Sequence, residues 1–397
     1  MMSVWSSLVG QDAAVAKLSE AAASARAIVA SRGSGRTSDE ARSMSHAWLI
    51  TGPPGSGRSV AARAFAAALQ CTGATPGCGQ CPGCRTTMGR TNADVLFAAT
   101  ETSIINVETA RSLVLQAQSS PSQGLWRVIV VEDADRLGES GANALLKAIE
   151  EPPEHTVWLL CAPSPEDMIA TIRSRCRYLG LRIPTASAVA DLLVREGVAT
   201  PEVALEAARA AQSHIGLARA LARDPQMRER RRAIITAPAS VRSVGEAVMA
   251  ADRLLETAKA QADAQVSDRN AREKADLLRQ LGMEEGESAT KASRTMLRQL
   301  EEDQKRRSKR ALTDAIDRAL IDLLAIYRDI LMVQVGGDGE LINTDLSELV
   351  HQIAHDSTPH QTLARVDHIE TARKRLVANG NPLLVLEDMA ISLRPQA

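Results

Sequence analysis

His46-Ala-Trp-Leu-Ile-Thr-Gly-Pro-Pro-Gly-Ser-Gly-Arg-Ser59 is the stretch from which the rest of the chain can be read. Its first six residues form a short apolar run, Gly52 to Gly57 is a glycine and proline turn, and Ser59 to Leu69 is alanine-rich and helix-favouring. A strand, a tight loop and a helix are predicted in that order. The loop, Gly52-Pro53-Pro54-Gly55-Ser56-Gly57-Arg58-Ser59, has the spacing of the phosphate loop G-x-x-x-x-G-K-[ST], with arginine in place of lysine. Glycines there let backbone N–H groups point into a phosphate cradle at a helix N-terminus, and the Ser59 hydroxyl is the expected Mg²⁺ ligand. The exchange at Arg58 is not conservative, because a planar guanidinium fork replaces a compact ammonium between two phosphates.

Outward from the loop the same alternation recurs. Arg127–Val131 (RVIVV) reads as a second buried strand ended by Glu132-Asp133, and Val157–Cys161 (VWLLC) as a third. Ser140–Glu150 is helix-like between them and is stopped by Pro152-Pro153. Strands alternating with helices imply a parallel sheet. An acidic pair at the end of the second strand suits Mg²⁺ and water activation, but the usual order is Asp-Glu. Here it is Glu132-Asp133, which changes the reach of each carboxylate by one methylene, and misplacement near 1 Å costs about a hundredfold in rate. Both departures point to weak or absent ATP hydrolysis.

The strand signal ends near Arg182, and amphipathic helices follow, one starting at Pro184-Thr185 with Val189, Leu192 and Leu193 on one face. From about Val241 everything reads as helical, including Leu312, Ile316, Leu320, Leu323, Tyr327 and Ile330 at steps of three and four. The charged stretch 267–310 reads as a solvated helical insertion, with Lys305–Arg310 as a basic end suited to DNA. Ser31–Ser45, rich in Ser, Arg and Gly, reads as a surface loop. His351 and His355 sit four apart, but the residue after the first is Gln352 rather than glutamate, and they read as ordinary helix-face histidines.

At 397 residues the chain has room for two or three domains of about 150 residues. Apolar residues make up 45%, too many for a disordered chain, and no apolar run is long enough to span a membrane. Lys and Arg number 47 against 48 Asp and Glu, a net charge of −1, so the molecule is no polycation wrapping nucleic acid. Four Trp, two Tyr and two Phe are too few to grip single strands by stacking. Met1–Gln11 lacks a basic segment before an apolar core, so a cytoplasmic, reducing location is expected. Cys71, Cys78, Cys81 and Cys84 then read as a four-thiolate structural zinc site, with no open position for catalysis. Cys161 and Cys176 read as apolar fillers.

These motifs together resemble bacterial DNA polymerase III clamp-loader subunits of the AAA+ superfamily. Trp5–Gln11 (WSSLVGQ), the loop after HAWLIT, the cysteine module behind the loop helix, Asn143–His155 (NALLKAIEEPPEH), Ser174-Arg175-Cys176 and Asn381–Arg394 (NPLLVLEDMAISLR) occur in that family's order. The resemblance implies a P-loop AAA+ α/β domain over residues 1–182 with an inserted zinc module at 71–84. A small helical lid domain over 183–240 and an all-helical collar over 241–397, carrying the insertion, would follow. Within the family, delta-prime keeps the fold and loses the nucleotide chemistry of gamma and tau. Arg58, Glu132-Asp133 and Ala162, where hydrolysing subunits place a polar γ-phosphate sensor, favour delta-prime, while Arg219 resembles the second sensor.

By that resemblance Arg175 is an arginine finger offered in trans to ATP on a gamma or tau neighbour. The partners implied are gamma or tau and delta, and through the complex the sliding clamp and primed DNA. The cofactors implied are structural Zn²⁺ and, at a degenerate site, ATP with Mg²⁺. The assembly would serve a DNA-directed DNA polymerase, a nucleotidyltransferase. An ATP-hydrolysing gamma/tau-type subunit, a zinc-bearing AAA+ branch-migration or repair motor, and a structural zinc adaptor are the alternatives. A self-assembling motor needs both a working site and a finger in one sequence, and an adaptor leaves Ser174-Arg175-Cys176 unexplained.

Overall fold

A computed structural model describes residues 3–31, 43–98, 105–283 and 291–394. Most of the surface loop expected over 31–45, and residues 284–290 of the charged insertion, lie outside them. The chain divides into two compact units, Met1–Ala222 and Arg223–Ala397. Among the described residues no helix is long and apolar enough to cross a membrane.

The first unit is built on a parallel sheet of β1 (Ala47–Thr51), β2 (Val95–Ala98), β3 (Arg127–Val131), β4 (Thr156–Ala162) and β5 (Arg177–Gly180), in the order β2-β3-β4-β1-β5. The three strands read from the sequence are its centre. Every residue of β1 and β4 is buried, as unbroken apolar runs must be when helices cover both faces of a parallel sheet. One face carries Trp48, Ile50, Val130 and Leu159 against α1 (Asp12–Ala30) and α2 (Arg58–Leu69), with Trp48 edge-on to Phe65 at 5.2 Å. After the short α3 (Pro82–Met88), the other face carries Leu49, Ile129, Trp158 and Leu160 under α4 (Val107–Ala117) and α5 (Glu139–Glu150).

The edge strands β2 and β5 were not expected, and β5 changes the placement of Arg175. Arg177-Tyr178-Leu179-Gly180 buries only Leu179, so its sequence carries no apolar run. Ser174-Arg175-Cys176 immediately precedes this strand. It lies between the single turn α6 (Ala170–Arg173) and β5. Helices α7 (Ala186–Arg195), α8 (Pro201–Ala210) and α9 (Ile215–Arg223) complete the region. Thr185 caps α7, its Oγ1 accepting from Ala188 N at 3.2 Å.

Among the described residues the regular structure of the second unit is all helical: α10 (Pro225–Ser240), α11 (Val244–Leu281), α12 (Lys291–Gln334), α13 (Ser347–Asp356), α14 (Pro359–Val377) and α15 (Pro382–Leu393). Ile316, Leu320, Leu323, Tyr327 and Ile330, the stripe read from the sequence, form its core with Ile369, Leu386 and Met389. Helix α10, grouped with the lid by sequence, packs here through Ile235. The charged insertion is the far part of α11 and α12, which run antiparallel. Arg307 donates across them to Glu273 and Asn270 at 2.8 and 2.7 Å. The basic end is largely answered within the fold, since Arg306 pairs with Asp303 and Arg310 with Asp314, and Lys309 donates to Asn379.

Candidate nucleotide and metal sites

The loop leaves β1 at Thr51 and enters α2 at Arg58, on the carboxyl side of the sheet where open α/β folds bind ligands. Gly55 and Gly57 both adopt φ of +90°, which an L side chain resists. A Cβ on Gly57 would meet nothing within 4 Å, whereas one on Gly55 would press on the His214 backbone at 3.0 Å. The cradle is thus open on one side and closed by the start of α9 on the other. Gln11, buried at the head of α1, donates from Nε2 to Ser56 O and Arg182 O, and its Oε1 accepts from Arg182 N. It ties the loop to the sheet's end. Ser56 Oγ and Arg58 Nη1 are buried with no hydrogen-bond partner. An orphaned cation beside an open glycine cradle fits a phosphate.

The acidic side of the site is less open to a metal. Glu132 accepts from Arg90 Nη2 at 2.6 Å, and the Arg90 guanidinium lies 5.0 Å from the Phe97 ring centre. Asp135, which the sequence reading passed over, lies near Asp133 and Arg58. Burial pushes its carboxyl above the usual range, with Asp133 adding to the rise and Arg136 and Arg58 opposing it. Arg219, the expected second sensor, is held by a two-pronged pair to Glu196, Nε to Oε2 at 2.9 Å and Nη2 to Oε1 at 2.8 Å. Arg175 is 38% exposed, ion-paired to Glu150 at the end of α5, and donates from Nη1 to Thr171 O at 2.8 Å. Ala162, at the end of β4, is fully buried.

Cys71, Cys78, Cys81 and Cys84 converge, their sulfurs all within 4.8 Å of one another. Backbone N–H groups face the sulfurs: Cys81 N points to Cys78 Sγ, and Cys84 N to Cys81 Sγ, both at 3.4 Å. Burial opposes ionisation of Cys81, yet the Cys84 and Thr72 amides outweigh it and bring the thiol down to about 6. Cys84, deeper, is pushed up by burial. Arg26 donates to Ala74 O and Cys71 O, and Val4 N and Ser3 Oγ to Gly77 O, so α1 and the N-terminal turn brace the module. Four clustered soft donors fit one tetrahedral metal. Burial pushes the remaining cysteines, Cys161 and Cys176, up to about 12, in keeping with apolar filling.

Residues 36–185 match the family described as DNA polymerase III, delta subunit. DNA polymerase III subunit delta' of Pseudomonas aeruginosa is 34% identical over 165 residues, 41% of this chain and 50% of that protein. Subunit delta' of Yersinia pestis is 37% identical over 143 residues, 35% of this chain and 42% of that protein. Subunit gamma/tau of Mycobacterium bovis is 35% identical over 162 residues, 39% of this chain and 28% of that protein. Over this stretch the chain is similar to DNA polymerase III clamp-loader subunits of both the delta' and the gamma/tau kind. The chain spans half or less of the length of these relatives.

The clamp-loader match ends at residue 185, so it takes in the loop, the cysteines, the acids and Arg175 but not Arg219 or the second unit. Identity to delta' and to gamma/tau is nearly equal and does not separate them. Sequence reasoning missed three residues that brace this domain. Gln11 was visible only as part of a quoted segment, and Arg90 had no local pattern to mark it. Asp94 is fully buried and accepts from Ser122 N, Gln123 N and Gly124 N at 2.6 to 2.8 Å, anchoring the loop before β3. An aspartate just before a short edge strand looks like any turn residue.

Proposed function

We propose that this protein is a delta-prime-type subunit of a DNA polymerase III clamp loader, acting in DNA replication. In this reading its own ATP site is degenerate, and it lends Arg175 to ATP on a gamma or tau neighbour while a delta subunit completes the complex. The supporting observation is the state of the site's charged groups. Glu132 is occupied by Arg90 and Arg219 by Glu196, and arginine replaces the loop lysine. Arg175, at a strand approach, is likewise paired, but its partner Glu150 is an exposed carboxylate that a neighbour's phosphates would replace. A finger stabilises charge developing on the transferring phosphoryl group, a contribution of about 10³ to 10⁵ in rate. Residues 52–59 would cradle any retained nucleotide. The unpaired Arg58 Nη1 also supports a second reading, a gamma/tau-type subunit in which arginine serves for lysine.

ATP turnover by the protein alone, and after mixing with a gamma-type partner, tests the choice. Little or no turnover alone is expected. The Arg175→Ala protein should still join its partners yet lower the complex's DNA-stimulated ATPase, with kcat falling more than ATP affinity. Robust solitary turnover abolished by Arg58→Ala promotes the gamma-type reading. Wild-type clamp loading by the Arg175→Ala complex makes Arg175 structural.

Cys71, Cys78, Cys81 and Cys84 would hold one zinc, whose role is to cross-link the module, since four protein ligands leave no open position. Metal analysis should find one zinc per chain, lost together with heat stability when all four are changed to serine. A metal-free wild type of equal stability sinks the assignment.

A further inference from the structure

The second unit treats two buried arginines in opposite ways. Arg231, 9% exposed, is answered by a carboxylate and an amide: Nε donates to Asp322 at 3.0 Å and Nη2 to Asn343 at 2.7 Å. Arg365 on α14, 8% exposed, has neither a carboxylate in ion-pairing range nor a hydrogen-bond acceptor among the described residues. Its contact is the ring of Tyr327, 6.0 Å from the guanidinium carbon to the ring centre. With no protein acceptor, a cation set this deep is answered only through the cleft it lines, by water or by an anion taken from solution, since a charge left with neither costs stability.

Arg365 and Tyr327 line a cleft of about 580 Å³, with Arg242, Gln352 and Asp356 also on its walls. Of the cleft's donors, Arg242 already gives Nη1 to Ala239 O at 2.7 Å. Thr236, Ser240 and Ser357 also line it, but their hydroxyls donate to Arg232 O, Ala237 O and Ile353 O. Burial pushes the Tyr327 phenol up to about 12, so it keeps its proton at neutral pH. Two guanidinium groups against one carboxylate make the lining positive.

We propose that this cleft is an oxyanion site for a small phosphate-bearing molecule, with Arg365 as its deep ligand and Tyr327 and Arg242 as further donors. A dianionic phosphate matches two guanidinium groups better than a monoanionic carboxylate does, and charge-assisted hydrogen bonds of this kind are the strong ones. The site is independent of the phosphate loop, which lies in the other unit.

Calorimetric titration of the full-length protein with inorganic phosphate tests this, using wild type, Arg58→Ala, Arg365→Met and Tyr327→Phe. A binding event should survive Arg58→Ala, weaken about tenfold or more in Arg365→Met, and weaken less in Tyr327→Phe. In phosphate-free buffer Arg365→Met should melt no lower than wild type, because it removes an unanswered charge and keeps an apolar stem. Parallel titrations with glucose 6-phosphate separate an ester from free phosphate as the preferred form, and acetate should bind far more weakly than either. Equal phosphate binding by Arg365→Met, no binding that survives Arg58→Ala, or acetate binding as tight as phosphate overturns the proposal. Should Arg365→Met fail to fold, unchanged affinity in Tyr327→Phe and Arg242→Met overturns it instead.

Discussion

The central strands and the far part of the α11–α12 pair are both regular structure, yet different forces hold them. All seven residues of β4 are buried. Helix α11 is 38 residues, about 57 Å long, and its buried positions (Ala247, Ala251, Leu255, Ala258, Ala262 and Val266) stop well before Leu281. Beyond Val266 the two helices hold together through Arg307, Glu273 and Asn270, with Arg269 joining Glu273. Where apolar area is buried, a substitution removes packing that nothing replaces. Where ion pairs do the holding, water competes for every one of them.

That contrast can be broken by substitution, most forcefully in the sheet. Trp158→Ala, at a fully buried position of β4, should cost the first unit about 3–5 kcal/mol in urea unfolding. A loss below about 1 kcal/mol, within the range of ordinary surface changes, would show that the strand core repacks.

A smaller effect is expected at Asp94, a buried polar anchor within the same unit. Asp94→Asn should cost about 1.5–3 kcal/mol, the range for hydrogen bonds to a charged group. Burial alone would raise the Asp94 carboxyl, but the N–H groups of Ser122, Gln123 and Gly124 outweigh it and hold it below the usual range. The folded value therefore lies below the unfolded one of about 3.9. Its contribution is complete above that value and disappears as pH falls through the folded one. Wild type and Asp94→Asn should accordingly converge in acid, and a gap that stays constant with pH contradicts this account.

Least sensitive is the helix pair. Arg307→Ala, which removes a partly buried pair, should cost about 1 kcal/mol, and Met296→Ser, 53% exposed, less than about 0.5 kcal/mol. High salt should narrow the first difference and leave the second unchanged. If Met296→Ser costs as much as Arg307→Ala, the outer pair has an apolar contact that the contrast leaves out.

The strands of the sheet's centre were legible because burial on both faces demands continuous apolar residues, which β1, β3 and β4 have. The edges β2 and β5 were not, since an edge strand packs on fewer neighbours and Arg177-Tyr178-Leu179-Gly180 needs only one buried side chain. The phosphate loop, the four cysteines and the C-terminal helical stripe were likewise open to inspection, because each is a local spacing rule. The α11–α12 pair was legible as helix and as charged, but not as a packed antiparallel pair.

What the sequence determined alone were the features whose physics is local: glycines at positive φ, cysteines at turn spacing, helices with one apolar face. Tertiary structure decided which charges are free. Glu132, Arg175 and Arg219 read as available groups, yet their partners Arg90, Glu150 and Glu196 stand 42, 25 and 23 residues away in the chain. Arg365, which no local pattern marks, is buried without a carboxylate partner among the described residues. Ion pairing depends on distances of a few ångströms between elements, and only the packing of the folded chain sets those distances.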